Sequence, residues 1–584
     1  MTEPFLGVET SFTGRRWIGR AVDERLAEAL AQRHQIPDIL ARALAARGVG
    51  LEEAPSFLAP RLRDLMPDPS SFKDMDQAVA RFVAAVQKDE KIAVFGDYDV
   101  DGATSSALLV RFGRALQKDL RLYIPDRLRE GYGPNGSALR NLAEEGVKLV
   151  VCVDCGTLAH EALAEGQKAG LDVIVLDHHT AEPSLPPAVA VVNPNRLDET
   201  MTERFGALAA VGVTYLFAVA VNRELRDCGF FAEIPEPDLM QLLDLVALGT
   251  ICDVVPLTGL NRAFVAQGLK IMGAGGNAGL VALGTAAGAK GPPDTYTAGF
   301  ILGPRLNAGG RIGISDWGAK LLATDDPAQI AELSATLNRI NVDRQEIEGE
   351  VLASAEARLV DTGAPLLFIA GENWHAGVIG IVASRLREKY HRPAIVIGVE
   401  KGIGKGSGRS MDGVDLGSAV IAAKQAGLLI AGGGHKMAAG LTVAAEKMAA
   451  LREFLIARIG AQMEAEPLKP SLTLDGIVAA PALNGDFMEK LSTLQPFGTG
   501  NPEPRFALPD CRIVNAKIVG EKHVSIVAKQ GGDRVRGIAF RAMDTALGPA
   551  LLAAGEKVHL AGKIRPDDWR GNGAVQLIVE DAGG

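Results

Sequence analysis

Between residues 91 and 177 short apolar runs alternate with helical patterns: KIAVFG, ATSSALLVRFGRAL, LRLYI, SALRNLAEEG, KLVVCVD, HEALAEGQKAG and LDVIVLD succeed one another. Strands that read as continuous apolar runs and are separated by helices predict a parallel α/β sheet covered on both faces. Ligands of such sheets collect beyond the carboxyl ends of the strands. The acidic residues of this segment fall at those ends.

At 584 residues the chain exceeds what one hydrophobic core supports, so further domains are expected. Residues 1–80 read as a helical segment and 81–270 as the parallel-sheet domain, closed by ALAAVGVTYLFAVAVNREL and PDLMQLLDLVALG. Residues 271–360 form a linker, in which a glycine-rich stretch around 273–291 breaks the pattern. Within it Asp326-Pro327 opens a proline-free run that predicts a long connecting helix. Strand and helix signals resume with PLLFIAG, GVIGIVASRLREKY and RPAIVIGVE, giving a smaller α/β domain over 361–462. Short alternating runs such as HVSIVAKQ and RVRGIAF then predict an OB-like antiparallel β-barrel over 463–584. The expected fold class is α/β and multidomain: a parallel-sheet domain joined by a long helix to a smaller α/β domain, plus the C-terminal barrel.

Composition excludes a few classes. With 47% hydrophobic and 23% charged residues the chain is globular, not disordered. It lacks a secretory start and any run of about 18 apolar residues, so a cytoplasmic protein without a membrane span is expected. Five scattered cysteines give no disulfide framework. Cys152 and Cys155 form a CxxC, but a zinc site wants a second pair, and none exists. A net charge of −10 says little about nucleic acid, because phosphate binding needs positive potential only where the strand lies. Local basic clusters occur at Arg121, Arg127 and Arg129, at Arg385, Arg387, Lys389 and Arg392, and at Lys401, Lys405 and Arg409. Each by itself reads as a solvated face in preference to a binding site.

The strongest chemical signal is Gly96-Asp97-Tyr98-Asp99-Val100-Asp101-Gly102, between an apolar strand and a helix. Three carboxylates at alternate positions of one tight turn repel each other unless a cation is present. An EF-hand calcium loop would need Glu at the twelfth position from Asp97, where Leu108 stands, and would not come after a strand. A haloacid-dehalogenase phosphatase, with Asp99 as covalent nucleophile, is the chemically closer rival. Residues further along the chain separate the two: Asp154 ends KLVVCV, Asp177-His178-His179 ends DVIVL, and Asp253 lies in LGTICDVVPL. The tips of both strands are expected beside the first. Any one aspartate fits a turn or cap, but adjacent histidines contribute little to either. Carboxylates with imidazole suit manganese or magnesium.

In this order DYDVDG, VCVDCGT, VLDHHT and LGTICDVVPL resemble the four motifs of the DHH phosphoesterase superfamily, in particular its single-strand-specific exonucleases. GPRLNAGGRIG, WHAGVIGIVASRL, GSGRS and GGGHKMAAG are similar to their linker and DHHA1 domain, and LQPFGTGNPEPRF to the entry of their OB domain. The similarity covers residues 80–584. It implies a metal-dependent exodeoxyribonuclease acting on single-stranded DNA from the 5′ end, in repair and recombination. It implies that Asp97, Asp99, Asp101, Asp154, His178 and Asp253 hold two Mn2+ or Mg2+ ions, with Asp154 bridging. His179 would face the scissile phosphate, with Asp177 orienting a histidine. Substrate contacts fall on Arg127, Arg129, Tyr132, Arg305, Asn307, Arg311, His375, Ser407, Arg409, Gly433, Gly434 and His435. Without the resemblance, Gly432–His435 reads as a tight turn between helix and strand, and His375 reads equally as a nucleic-acid contact or as a local hydrogen-bonding group. Expected partners are single-stranded DNA, a single-stranded-DNA-binding protein and a helicase, and the chain is expected to be a monomer.

Two further readings stay open. A DHH-DHHA1 phosphodiesterase for short oligoribonucleotides or cyclic dinucleotides is a compact two-domain chain, against which the barrel and the long helix count. A noncatalytic DNA-binding scaffold would have lost ligands, whereas every motif carboxylate is present here.

Overall fold

The computed structural model describes residues 3–127, 129–360, 363–465, 470–553, 555, 557–567 and 573–584. It opens with a strand, β1 (Arg16–Gly19), and short helices that include Glu24–His34 and Asp38–Ala45. Helix Met75–Gln87 then leads into five strands: β2 (Ile92–Gly96), β3 (Arg121–Tyr123), β4 (Leu149–Val153), β5 (Asp172–Leu176) and β6 (Ala190–Val192). They form one parallel sheet in the order β3-β2-β4-β5-β6. Every residue of β2 and β4 is buried, since helices cover both faces. Phe82, Leu108 and Phe217 pack on one side, and Leu139, Leu142 and Leu163 on the other. Of β4 and β5 only β4 lies beside β2; β5 pairs with β4, so Asp177 stands one strand further out than the sequence pattern predicts. Local patterning identifies strands but not their neighbours.

A helical region comes next. The glycine-rich stretch is no simple break, because helix Ala278–Ala286 forms inside it, capped by Asn277 accepting from the Leu280 N–H. The connecting helix runs Pro327–Arg358, with the Asp326 carboxylate accepting from the Ala328 N–H. At 1.5 Å per residue its 32 residues span about 48 Å. Ile330 and Leu337 join the core of the first domain, while Val351 and Ala355 join that of the second. One rigid rod therefore sets the distance between the two domains.

The second domain holds β7 (Leu367–Glu372), β8 (Ala394–Glu400), β9 (Ile403–Arg409), β10 (Ala431–His435) and β11 (Ala438–Ala444), in the order β10-β11-β9-β8-β7. Gly432–His435 is thus part of an edge strand in a hairpin with β11, not a turn between helix and strand. After β12 (Ser471–Leu474) and β13 (Gly476–Ile477) come β14 (Phe506–Val519), β15 (His523–Gln530), β16 (Asp533–Ala539), β17 (Lys557–Pro566) and β18 (Val575–Gly583). Strands β14-β15-β16-β18-β17 pair in sequence and β17 returns to β14, closing a five-stranded barrel.

The first described elements pack against this barrel. Strand β1 pairs in parallel with β12, and the Trp17 indole N–H donates to Asp581 over 3.0 Å. Leu30, Leu40 and Leu44 share one core with Phe506, Val524 and Leu560. Arg262 ties the parts together: its fully buried guanidinium donates to the carbonyls of Phe57 (2.7 Å) and Gln495 (2.6 Å).

Candidate metal centre

The centre starts where β2 runs out. Gly102 lets the chain fold back over the turn, since a Cβ there would lie 2.4 Å from the Asp97 carbonyl oxygen. Asp99 caps the next helix, accepting from the N–H groups of Asp101 (2.9 Å) and Gly102 (3.2 Å). Both oxygens of Asp101 accept backbone N–H groups at the start of helix Ala210–Asp227, from Ala210 at 2.7 Å and Val211 at 2.9 Å. Asp154 comes directly after β4 in a left-handed conformation (φ 60°) and is buried. Asp253 ends helix Leu243–Cys252. His178 Nε2 faces three of these carboxylates: Asp154 at 3.3 Å, Asp253 at 3.7 Å and Asp101 at 3.9 Å.

Ligand atoms within 4.8 Å of one another form three groups: Asp97, Asp99 and Asp154; Asp101, His178 and Asp253; and Asp154, His178 and His179. The third group joins the first two, so Asp154 and His178 lie between two sets of donors. Burial, and then the Asp253 charge, pushes Asp101 up to about 7; burial, and then Asp99, pushes Asp253 up to about 7. Burial and the neighbouring aspartates hold Asp97 and Asp154 well above the usual carboxylate range. Asp97 Oδ1 is buried and accepts no hydrogen bond among the described residues. Such a cluster of hard oxygens with one imidazole, including an orphaned oxygen, fits Mn2+ or Mg2+. The nearby thiols do not compete: Cys152 and Cys155 are buried, and burial holds both well above the usual thiol range, protonated.

Around the donors lies a hydrogen-bonded shell. Asp177 accepts from the N–H groups of His178 (2.8 Å), His179 (3.2 Å) and Thr157 (3.1 Å), and from His179 Nδ1 at 2.8 Å. Burial opposes its ionisation, but the hydrogen bonds from His179 and Thr157 outweigh it and keep Asp177 well below the carboxylate range. Asp177 therefore orients His179 and not His178. Burial would lower the His179 pKa, yet the bond and charge of Asp177 raise it to about 9. The Tyr132 hydroxyl donates to the Asp154 carbonyl at 3.1 Å and sits 3.3 Å from His179 Nδ1. Asn193 and Asn195 were missed in the sequence. Asn193 donates to the His179 carbonyl (2.8 Å) and Asn195 to that of His178 (2.6 Å), fixing both histidines from behind. The available signal was position, because Asn193 succeeds the apolar run of β6 as the aspartates succeed theirs.

The expected substrate residues divide. Arg127 lies 4.9 Å over the Tyr98 ring. Burial, then the charges of Arg127, Arg344 and Arg409, lowers Arg311 to about 10, so these cations converge. Two cross-strand rows carry the second domain's share: Ser407–Gly440–Gly433 and Arg409–Ala438–His435 run over β9, β11 and β10. Gly434, beside Gly433 on β10, is exposed. Asn307 lines a cleft with Arg311, Arg344 and Arg385. Arg129 is exposed on its turn. Arg305 is engaged elsewhere, donating to Asn338 on the long helix (2.9 Å) and to the Ile301 carbonyl (2.7 Å). His375 Nδ1 accepts from the Gly377 N–H at 3.0 Å. Of the remaining basic clusters, Arg385 pairs with Glu348 and Lys389 with Glu356.

The barrel carries a cationic row that no sequence pattern announced. Lys557, Arg512, Lys529 and Arg534 are direct partners across β17, β14, β15 and β16. Direct partners share a face, and like charges opposite one another destabilise a sheet.

Known proteins share this layout. The chain matches the DHH family, N-terminal domain, over residues 91–250, the DHHA1 domain over 363–461 and the RecJ OB domain over 474–581. It is 36% identical to the single-stranded-DNA-specific exonuclease RecJ of Dickeya dadantii over 93% of this chain and 96% of that protein. The protein of the same name from Escherichia coli is 34% identical over 94% of this chain and 96% of its own length. Among solved structures, RecJ of Thermus thermophilus in complex with Mn2+ superposes with a TM-score of 0.81 at 30% identity, covering 97% of this chain and 79% of that one.

Proposed function

The chain belongs to the RecJ family of single-stranded-DNA-specific exonucleases, and on that premise we propose that Asp97, Asp99, Asp101, Asp154, His178 and Asp253 hold two Mn2+ or Mg2+ ions at which phosphodiester bonds of single-stranded DNA are hydrolysed. Bound there, such ions would supply Lewis acidity for activating a water and for stabilising charge on the attacking and leaving oxygens. The observation that carries the assignment is the convergence of carboxylates from separate loops on His178, with the orphaned Asp97 oxygen among them.

The chain's own groups do the rest. Asp177 holds a proton on His179 Nδ1 and its charge favours the imidazolium, which would meet the negative charge of the scissile phosphate. Tyr132 fixes the Asp154 backbone on the same side. Arg127, Arg311 and Arg409 attract the backbone phosphates, and the open strand β10, with Gly433, Gly434 and His435, lets phosphates approach main-chain amides. The cationic row on the barrel tracks the strand beyond the cleft. Cleavage proceeds from the 5′ end, on strands supplied in repair and recombination by a helicase and a single-stranded-DNA-binding protein, and the enzyme acts as a cytoplasmic monomer. Among the described residues no helix is long and apolar enough to cross a membrane.

Digestion of single-stranded and duplex DNA, labelled in turn at each end, with and without Mn2+, tests the reading. Manganese-dependent release of mononucleotides from the 5′ end of the single strand is expected. Turnover confined to dinucleotides, or binding without hydrolysis, would refute it.

A further inference from the structure

Before the helix Gly303–Ile312 the chain winds as a π-helix over Thr297–Leu302. Widened turns of this kind recur at functional sites. Tyr296 and Phe300, four residues apart, lie ring on ring with centroids 5.3 Å apart and planes 19° from parallel. Both rings stand open to solvent, 59% and 70% exposed, so core packing does not account for them. The turn itself is held firmly. Gly299 packs against Ile251, where a Cβ would come within 3.2 Å, and the Cys252 thiol donates to the Ala298 carbonyl at 3.6 Å.

That anchoring fixes the rings relative to the metal centre, because Cys252 precedes Asp253. Phe300 lines the cleft of ≈ 510 Å³ that also holds Cys252, Asn307, Arg311, Arg344 and Arg385. Tyr296 lines a larger groove of ≈ 1030 Å³ between the catalytic domain and the barrel, together with Lys270, Phe497 and Arg565. The stacked pair thus presents one ring to each depression. Lys270 and Arg311 border its two sides, whereas Arg344 and Arg385 share Glu348 and Arg565 pairs with Glu503, so the rings and not a run of free cations mark this place.

We propose that Tyr296 and Phe300 form a stacking platform for the bases of single-stranded DNA as it passes between the barrel groove and the metal centre. The proposal rests on the functional reading above and deepens it by naming where bases, as opposed to phosphates, are held. Unpaired bases offer free π-faces, whereas those of a duplex are already stacked on their neighbours. The platform therefore adds to the preference for single strands.

Binding of a fluorescent oligothymidine of about 20 nucleotides to the full chain, with metal chelated so that nothing is hydrolysed, provides the test. Tyr296→Ala and Phe300→Ala should each raise the Kd roughly ten-fold, while Tyr296→Phe should bind as the parent does. Stacking releases no counterions, so the slope of log K against log salt should not change. An abasic site walked along the oligonucleotide should weaken parent binding at one register or more, and the double alanine variant should lose that register dependence. An unchanged Kd in the double variant, retained register dependence or an altered salt slope would overturn the platform. So would a change in oligomeric mass on substitution, which would make the rings a contact between copies. A parent chain that neither binds nor degrades single strands would instead bring down the functional reading itself.

Discussion

The catalytic domain and the barrel each gather charges of one sign and treat them in opposite ways. In the first, aspartates are buried in turns whose geometry is fixed by backbone hydrogen bonds, and their carboxyls are driven toward the protonated form. In the second, Lys557, Arg512, Lys529 and Arg534 are aligned across four strands at the barrel surface, three of them exposed. Buried like charges call for a small, hard counter-ion at one point, because only direct coordination offsets desolvation. Exposed like charges in a row call for an extended polyanion, whose binding is strongly salt-dependent. The depth at which a like-charge cluster sits thus tells which partner it serves.

The comparison can be broken most sharply at Asp154. Asp154→Ala should abolish hydrolysis, a loss beyond the roughly 10²–10³-fold that removal of one transition-state donor costs. Retained turnover, measured on labelled single strands, would remove Asp154 from the centre. Asp177→Asn, which leaves the ligands in place but disturbs the tautomer and angle of His179, should lose roughly 10–100-fold. A loss as complete as that of Asp154→Ala would make Asp177 a ligand.

Stability sharpens the contrast. In chelator, Asp154→Asn should melt above the parent, by about 2–4 °C for each kcal/mol of repulsion relieved. With Mn2+ the order should invert, because the parent alone gains the full binding energy. Calorimetry in both buffers decides this.

Neutralising Arg512, Lys529 and Arg534 to serine should likewise leave the fold as stable or more so. The salt slope of single-strand binding should fall by roughly 2, at about 0.7 per lost phosphate contact. An unchanged slope would mean that the row faces no phosphates. Deleting the barrel would be a poorer experiment, since Leu30, Leu40 and Leu44 would lose their core. The smallest effect should come from Cys152→Ala with Cys155→Ala, which should leave the manganese content unchanged; lost metal would revive the thiols as ligands.

Much of the catalytic domain was legible because its signals are local. Continuous apolar runs gave β2, β4 and β5, and the carboxylates after them stand at the strand tips that form the centre. Asp326-Pro327 marked the start of the long helix to the residue. Strand order was not legible, because β4 and β5 look alike in sequence and only sheet assembly decides which one pairs with β2. The Gly432–His435 strand was hidden for a related reason: glycines carry no periodicity, and its partner Ala438–Ala444 supplies the register.

The order of residues dictated the chemistry of this protein: which donors it has, that they are too crowded to stand without cations, and which segments form sheet, rod and barrel. Packing in three dimensions was needed to settle that Asp177 serves His179, that Arg305 turns to the long helix, that residues 16–19 complete the C-terminal end and that four cations fall into one row. Periodicity fixes which side of an element a residue faces, through local burial of its apolar stripe. Which distant residue it then meets depends on how whole elements pack, and residues hundreds of positions apart leave no shared pattern in the chain.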